Sequence, residues 1–200
     1  MLLTALTTSS DSSTVTASVA ALGGALAVKQ TYLFASSTNC WIRQGTSKLI
    51  TCVAKASMAD TDFITVALST STKIYEFDVA GNGVTAGRVQ VNISTDTTAA
   101  QVAARLRTAL LANQASLEVT DNSDGTLTVV APDLVMTLTE SVANAGFLVG
   151  AATMTATAAD GSMFVPAGFS VALNGDQGPQ VGVIRDTADG KASITHCRLF

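Results

Sequence analysis

Short runs in which apolar and polar residues alternate recur along most of this 200-residue chain, separated by Gly, Pro, Asn and Asp. Such alternation is typical of strands with one buried face. Helical spacing is found in one segment, TTAAQVAARLRTALLANQ, where Val102, Leu106 and Leu110 lie four residues apart. Thr98 and Gln101 at its start have the spacing of a capping box. The pattern therefore predicts a mainly β fold with one helix near residues 97–113.

The same patterns divide the chain into three zones. Residues 1–28 are rich in Ser, Thr and Ala, and we expect an N-terminal arm that is ordered only where something holds it. Residues 59–150 have strand patterns on both sides of the helix, which predicts a small inserted α+β domain. Residues 29–58 and 151–200 have strand patterns only. They predict a β-sandwich or barrel domain that the insertion splits in two.

The composition points to contacts with other proteins. Charged residues make up 13% of the chain, against roughly 25% in ordinary soluble domains. A surface with few charges is easily desolvated at a contact. The net charge is −4, and the 11 Lys and Arg residues are scattered, which argues against a nucleic-acid partner. No basic residue precedes the first apolar run, which Asp11 interrupts, so we expect neither an export signal nor a membrane span.

The segments rich in Gly and Asp lack the spacing of known ligand sites. GNGVTAG is not followed directly by a helix, as a phosphate-binding loop must be, so we predict a hairpin turn. DNSDG lacks the register of a calcium loop, and we interpret both it and RDTADGK as hairpin turns. His196 is the only His, and the sequence contains no nucleophile motif that this His could activate. We therefore expect no enzymatic activity, no catalytic residue, no cofactor and no metal ion.

The stretch TNCWIRQGT contains the only Trp of the chain and one of its three Cys. Alternation places Cys40, Ile42 and Gln44 on one face of a strand, with Trp41 and Arg43 on the other. Trp and Arg side by side indicate a half-exposed or interface face, since both residue types are enriched at interfaces. We expect the cysteines to be free and mostly buried, although the sequence leaves a bridge between Cys40 and Cys52 open.

Two segments resemble small β-rich structural proteins of tailed-bacteriophage virions. These segments are YLFASSTNCWIRQG and ADGSMFVPAGFSVALNGDQGPQVGVIRDTADGKASITHCRL. The shared pattern has a Cys-aromatic-Ile-Arg-x-Gly strand (Cys40–Gly45), an apolar-Pro-Ala-Gly turn (Met163–Gly168) and a V-x-V-I-x-D strand (Val181–Asp186). Between them, GNGV and TTAAQVAA belong to a segment similar to a β-β-α-β module that recurs in phage virion proteins.

The resemblance implies a capsid decoration or cement protein that stabilises the head shell through protein–protein contacts. Its partners would be further copies of itself, in a homo-oligomer such as a trimer, and the major capsid protein or other virion proteins. It would be made in the host cytoplasm and located in the virion, at the head surface. The candidate interface residues are Trp41, Arg43, Met163, Phe164, Pro166 and Phe169.

Two alternatives stay open at this stage. Within the virion, the chain fits a neck, tail or fibre-base protein as well. Outside that class, a carbohydrate- or cell-binding module is conceivable, but such a module exposes several aromatic rings on one surface. This chain has one Trp and two Tyr, so we regard that alternative as the weaker one.

Overall fold

The computed structural model describes the backbone of residues 3–15, 20–21, 26–27, 30–156 and 161–199, and the side chains of residues 26–27, 30–156 and 161–195. The fold is mainly β: three sheets and, within this described part, a single α-helix. This confirms the predicted fold class. No helix among the described residues is long and apolar enough to cross a lipid bilayer.

Contacts divide the chain into two compact units. Unit 1 consists of Met1–Thr46, Pro132–Val135 and Thr153–Phe200. Unit 2 consists of Ser47–Ala131 and Met136–Ala152. The predicted boundaries, 29–58 with 151–200 around 59–150, follow the same split order, but the first boundary in the structure falls inside a strand.

Unit 1 contains two antiparallel sheets. The first has the strand order β1-β15-β3-β13. The second is the unit 1 part of a seven-stranded sheet, in which β2 pairs with β14, and β14 and β12 pair with opposite edges of β4. The strands are β1 (Leu3–Val15), β2 (Ala20–Ala21), β3 (Thr31–Ser36), β4 (Cys40–Thr51), β12 (Met163–Val165), β13 (Ser170–Asn174), β14 (Gln180–Arg185) and β15 (Gly190–Leu199).

One apolar core lies between the two sheets of unit 1. It takes alternate residues from strands of both sheets, which is the sandwich arrangement. Its members are Leu26, Phe34, Cys40, Ile42, Val165, Leu173, Val181, Val183, Ala192 and Ile194.

Part of the predicted N-terminal arm, residues 1–28, belongs to these sheets. Leu3–Val15 pairs with β15, and Ala20–Ala21 pairs with β14. Residues 1–2, 16–19, 22–25 and 28 of the arm lie outside the described residues. Ser and Thr suit a strand as well as they suit a loop, and the outer edge of β15 offers the backbone hydrogen bonds that such a strand needs.

Unit 2 combines a mixed four-stranded sheet, a hairpin and the helix. The sheet order is β10-β5-β6-β7, β8 and β9 form the antiparallel hairpin, and β11 pairs with residues 48–51 of β4. The elements are β5 (Phe63–Leu68), β6 (Thr72–Asp78), β7 (Val89–Asn92), α1 (Ala99–Asn113), β8 (Glu118–Asp121), β9 (Thr126–Pro132), β10 (Met136–Ser141) and β11 (Leu148–Ala151).

The helix has the start and the buried face that the sequence indicates. The Thr98 side chain accepts a hydrogen bond from the Gln101 backbone N–H, and the Gln101 side chain reaches back to the N-cap backbone, completing the capping box. The buried face consists of Val102, Ala103, Leu106 and Leu110, and the helix contacts β6, β7 and β8. The predicted apolar stripe is therefore the face that packs in unit 2.

Two of the three predicted hairpin turns are wrong. β6 and β7 pair in parallel, so GNGVTAG belongs to a crossover loop and not to a hairpin. β14 and β15 lie in different sheets, so RDTADGK carries the chain from one sheet of unit 1 to the other. In both places the segment does connect two strands, as its turn residues indicate. The pairing of the flanking strands, however, is decided by distant segments.

Replacing the N-cap by Thr98→Ala removes the acceptor for the Gln101 N–H. We expect the free energy of unfolding to fall by about 1 kcal/mol, the usual cost of losing such a cap. Urea denaturation followed by far-UV circular dichroism measures it. Thr108→Ala is the control, because the exposed Thr108 hydroxyl bonds only to Ala104 O within the helix and Ala is the better helix former. Equal losses in both variants would contradict a capping role.

Candidate functional site

Pairing of β12 with β4 brings two aromatic rings together in unit 1. Phe164 lies directly opposite Trp41, and the ring centroids are 5.1 Å apart with an interplanar angle of 56°. The Trp41 indole N–H also donates a hydrogen bond to Asp186 Oδ1 at 3.1 Å. Aromatic pairs across strands are stabilising in this tilted geometry. Both contacts hold the Trp41 ring in one orientation.

β12 and the turn after it expose apolar side chains, with Phe164 on the face of Trp41 and Met163 on the face of Ile42. Met163 is 44% exposed, Phe164 40% and Phe169 64%, and Pro166 is half-buried. We call these four residues together with the half-buried Trp41 the β12 surface. Five of the six predicted interface residues therefore lie on it.

The turn that carries Phe169 is fixed to the end of β3 and to the segment that follows it. The Gly168 N–H donates to Ser36 O at 2.9 Å, and the Ala167 N–H donates to Asn39 Oδ1 at 2.9 Å. The Phe169 N–H donates to Pro166 O, closing a turn in which Gly168 has φ +79°. Glycine adopts this conformation without strain. The most exposed aromatic ring of the surface is thus displayed on an ordered turn.

Arg43 lies elsewhere, although the sequence predicts it beside Trp41 at the interface. Its exposed fraction is 7%. It is the β4 partner of Gly182, and a Cβ on Gly182 would lie within 2.3 Å of Met154 O, so another backbone segment crosses this face. Arg43 is therefore buried, while Trp41 is half-buried at the surface.

The glycine-rich loop between β6 and β7 is held by two carboxylates of its own chain. Asp60 Oδ1 accepts hydrogen bonds from the Val79 and Ala80 N–H groups. Asp78 accepts from the three following N–H groups, those of Gly81, Asn82 and Gly83. Consecutive N–H groups of this kind bind phosphate in other loops. Here they are satisfied internally, which argues against an anion site.

A third carboxylate fixes the end of the same loop. Glu76 accepts from the Thr85 N–H at 3.0 Å and pairs with the Arg88 guanidinium at 2.7 Å. That guanidinium also lies 4.3 Å from the centroid of the Phe63 ring. Phe63 and Arg88 line an open cavity of about 640 Å³ in unit 2. Because Arg88 is both paired and stacked there, it is a structural cation.

The hydrogen bonds to Asp78 and Glu76 affect their ionisation. Burial raises the pKa of the Asp78 carboxyl, but the bonds from Gln90 and from the loop N–H groups together outweigh it, and its pKa lies below the ordinary value. For Glu76, burial is likewise outweighed by bonds from Thr85 and by the bond and charge of Arg88, so its pKa is also lowered. Both carboxylates are therefore charged anchors at neutral pH.

The two described cysteines, Cys40 and Cys52, are free and buried. Burial raises the pKa of the Cys52 thiol to about 12, with a further contribution from the negative charge of Asp121. Burial also raises the pKa of Cys40, against a hydrogen bond from Ser36. A protonated, buried thiol is a poor nucleophile.

The remaining sequence candidates are structural in the part of the chain that is described. In DNSDG, the carboxylates of Asp121 and Asp124 accept bonds from Ser123 and Thr126 within the β8–β9 turn. No group of three or more His, Cys, Asp and Glu side chains in the described residues is placed to hold a metal ion. The side chain of His196 lies outside the described residues.

Comparison with known proteins identifies no family for this chain. No family model matches the chain, and no curated protein does. Among solved structures, the D1–D2–D3 domains of the flagellar cap protein FliD from Escherichia coli match 94% of this chain with a TM-score of 0.31 and 12% identity. The chain spans 57% of that structure's length. The D2–D3 domains of the same protein match with a TM-score of 0.31 and 9% identity, over 94% of this chain and 99% of theirs. Similarity at this level carries no information about function.

The lowered pKa of Asp78 predicts a pH-dependent contribution to stability. Since the folded-state pKa lies below the ordinary value of 3.8, the contribution is fully present above that pH and is lost as the pH falls through the folded-state value. Asp78→Asn should lower the free energy of unfolding at pH 7. The difference from the wild type should shrink as the pH is lowered below 3.8.

Denaturant titrations of both proteins across this pH range measure the difference. The exposed Asp176 serves as the control, because Asp176→Asn removes the same charge at an exposed position. A wild-type advantage over Asp78→Asn that stayed constant with pH would show that the ionised carboxylate does not hold the loop.

Proposed function

We propose that this chain is a structural protein of a tailed-bacteriophage virion, and specifically a capsid decoration or cement protein that acts through protein–protein contacts. The observation that carries the proposal is the β12 surface. The segment Met163–Gly168, in which the sequence resembles phage structural proteins, is also the segment that the fold displays. Its partners would be other copies of the chain and the major capsid protein or other virion proteins.

The β12 surface has the physical properties of a contact site. Fully burying a side chain of this size stabilises a complex by about 1.5–3 kcal/mol relative to leaving it exposed. Trp41 is held by Phe164 and Asp186, so little of its side-chain entropy is lost on binding, and the turn already orders the backbone that carries Phe169. By contrast, Leu148 in unit 2 is 55% exposed but stands as a single apolar side chain, which is ordinary on any protein surface.

The other features of the chain agree with this function. A charged content of 13% keeps the desolvation cost of a large contact low. Free, buried Cys40 and Cys52 agree with synthesis in a reducing host cytoplasm before incorporation into the head. The N–H groups of the loop between β6 and β7 are bonded within the chain, and the thiol of Cys52 is protonated. Both observations agree with a protein that has no enzymatic activity, cofactor or nucleic-acid partner.

The alternatives fit less well. A neck, tail or fibre-base protein would use the same kind of surface and differs in its copy number and position on the particle. A carbohydrate-binding module needs a flat aromatic ring that is free to stack on a sugar. The Trp41 ring is tilted against Phe164 and its N–H is bonded to Asp186, so part of the ring and its polar atom are already engaged within the chain.

Rebinding to particles assembled without this chain tests the proposal. We expect Trp41→Ala and Phe169→Ser each to weaken co-sedimentation with the particles by at least about tenfold, the size of effect seen for central aromatic anchors. Leu148→Ser, which removes an exposed apolar side chain of unit 2, should bind as the wild type does. Unchanged binding of Trp41→Ala would remove Trp41 from the interface. Failure of the wild-type chain to bind any such particle would contradict the virion role.

A further inference from the structure

The chain contains the pair Asn-Gly twice, at Asn82–Gly83 and at Asn174–Gly175. In such a pair the glycine nitrogen can attack the amide carbon of the asparagine side chain, because glycine has no Cβ to hinder the approach. The nitrogen loses its proton, a C–N bond to the side chain forms, and the amide group leaves with a proton as ammonia. Water then opens the succinimide ring to aspartate or isoaspartate. The fold decides which of the two pairs can react.

The pair Asn174–Gly175 is held in an unreactive arrangement in unit 1. Gly175 is buried, and its N–H donates to Gln30 O at 3.0 Å. The Asn174 side-chain oxygen accepts from the Asp176 N–H at 3.0 Å. Asn174 is extended, with ψ 125°, so the Gly175 nitrogen is turned away from the side-chain amide carbon. Two hydrogen bonds must break and the backbone must rotate before the nitrogen can attack.

The pair Asn82–Gly83 lies in the loop between β6 and β7, where both residues are exposed. Among the described residues, the Asn82 side chain has no hydrogen-bond partner. A Cβ added to Gly83 would meet no atom within 4 Å, so the space beside this glycine is open. The Asn82 side chain can therefore turn towards the Gly83 nitrogen without breaking a contact of its own.

One hydrogen bond restrains the reacting nitrogen of this exposed pair. The Gly83 N–H donates to Asp78 Oδ2 at 3.2 Å, the longest of the three loop bonds to this carboxylate; those from Gly81 and Asn82 measure 2.7 and 3.0 Å. The nitrogen must lose its proton to attack, and it then carries a negative charge. A carboxylate beside it disfavours that loss, since like charges disfavour ionisation. Asp78 therefore slows the reaction and does not block it.

We propose that Asn82 is a site of spontaneous deamidation in the folded protein, and that the Asp78 carboxylate sets the rate of the reaction. This inference does not depend on the proposed function. Either product adds one negative charge to the net charge of −4 and places it beside Asp78, where the two carboxylates repel each other. Isoaspartate also inserts a methylene group into the backbone before Gly83, which shifts the Gly83 N–H relative to Asp78. The modification therefore loosens the loop at its charged anchor.

Incubation of the native protein in mildly alkaline buffer, followed by peptide mass spectrometry, tests the site. Deamidation at Asn82 should be at least about tenfold faster than at Asn174, because the second pair reacts only after two hydrogen bonds break. The chain unfolded in urea is the matched control, since both pairs should react there at similar rates. Asn82→Gln should remove the first product, because glutamine would have to close a larger ring. Equal native rates, a faster reaction at Asn174, or no product at Asn82 while the unfolded chain reacts would overturn the inference.

The variant Asp78→Asn tests the role of the carboxylate. It should accelerate deamidation at Asn82 by at least about threefold, because the charge that opposes proton loss is gone, and it should leave the rate at Asn174 unchanged. Asp60→Asn is the matched control: it removes the other carboxylate that holds this loop but leaves the Gly83 N–H bonded to Asp78, so it should have a smaller effect. Equal acceleration by both variants, acceleration at Asn174 as well, or an unchanged rate at Asn82 would refute the role of Asp78.

Discussion

The pairing of β4 along both of its edges is the constraint on which the candidate surface depends. Its first part lies between β14 and β12 in unit 1. Because neighbouring residues of a strand point to opposite faces, this pairing sends Cys40 and Ile42 into the core and leaves Trp41 on the outer face. Among the described strands β12 pairs with β4, and the turn after β12 is tied back to the residues that precede β4. The aromatic contact and the displayed Phe169 ring are both consequences of that one strand.

Local patterns predict the parts of this structure that local interactions decide. Alternation assigns Cys40, Ile42 and Gln44 to the inward face, and the capping box and the four-residue spacing predict where α1 begins and what it buries. The exposure of Met163, Phe164 and Phe169 could be expected too, because an uncharged apolar segment next to an apolar-Pro-Ala-Gly turn is visible in the sequence. The burial of Arg43 could not be predicted, since β14, which pairs with β4 beside it, comes from far along the chain. The parallel pairing of β6 with β7 is equally non-local, because a Gly-rich turn string fits a hairpin and a crossover loop alike.

The buried carboxylates show why function in this protein is sought on a surface. Asp60 and Asp78 satisfy five consecutive N–H groups of a loop that, from its glycines alone, resembles an anion site. Glu76 pairs with the Arg88 guanidinium, which would otherwise be available to a ligand. Burying such charges is tolerated because they are fully hydrogen-bonded. Unit 2 thus uses its polar groups for its own stability, whereas unit 1 leaves the Phe164 and Phe169 rings 40% and 64% exposed.

The proposed function makes this chain one part of a lattice, with a contact surface in place of an active site. Its number of copies in purified particles, measured by quantitative mass spectrometry against the major capsid protein, tests that claim most directly. A decoration protein should be present in a fixed ratio to the capsid subunit, with a number of copies comparable to the number of capsomers. Far fewer copies, at the level of a single neck or tail ring, would contradict the decoration role, and complete absence from the particles would contradict any structural role in the virion.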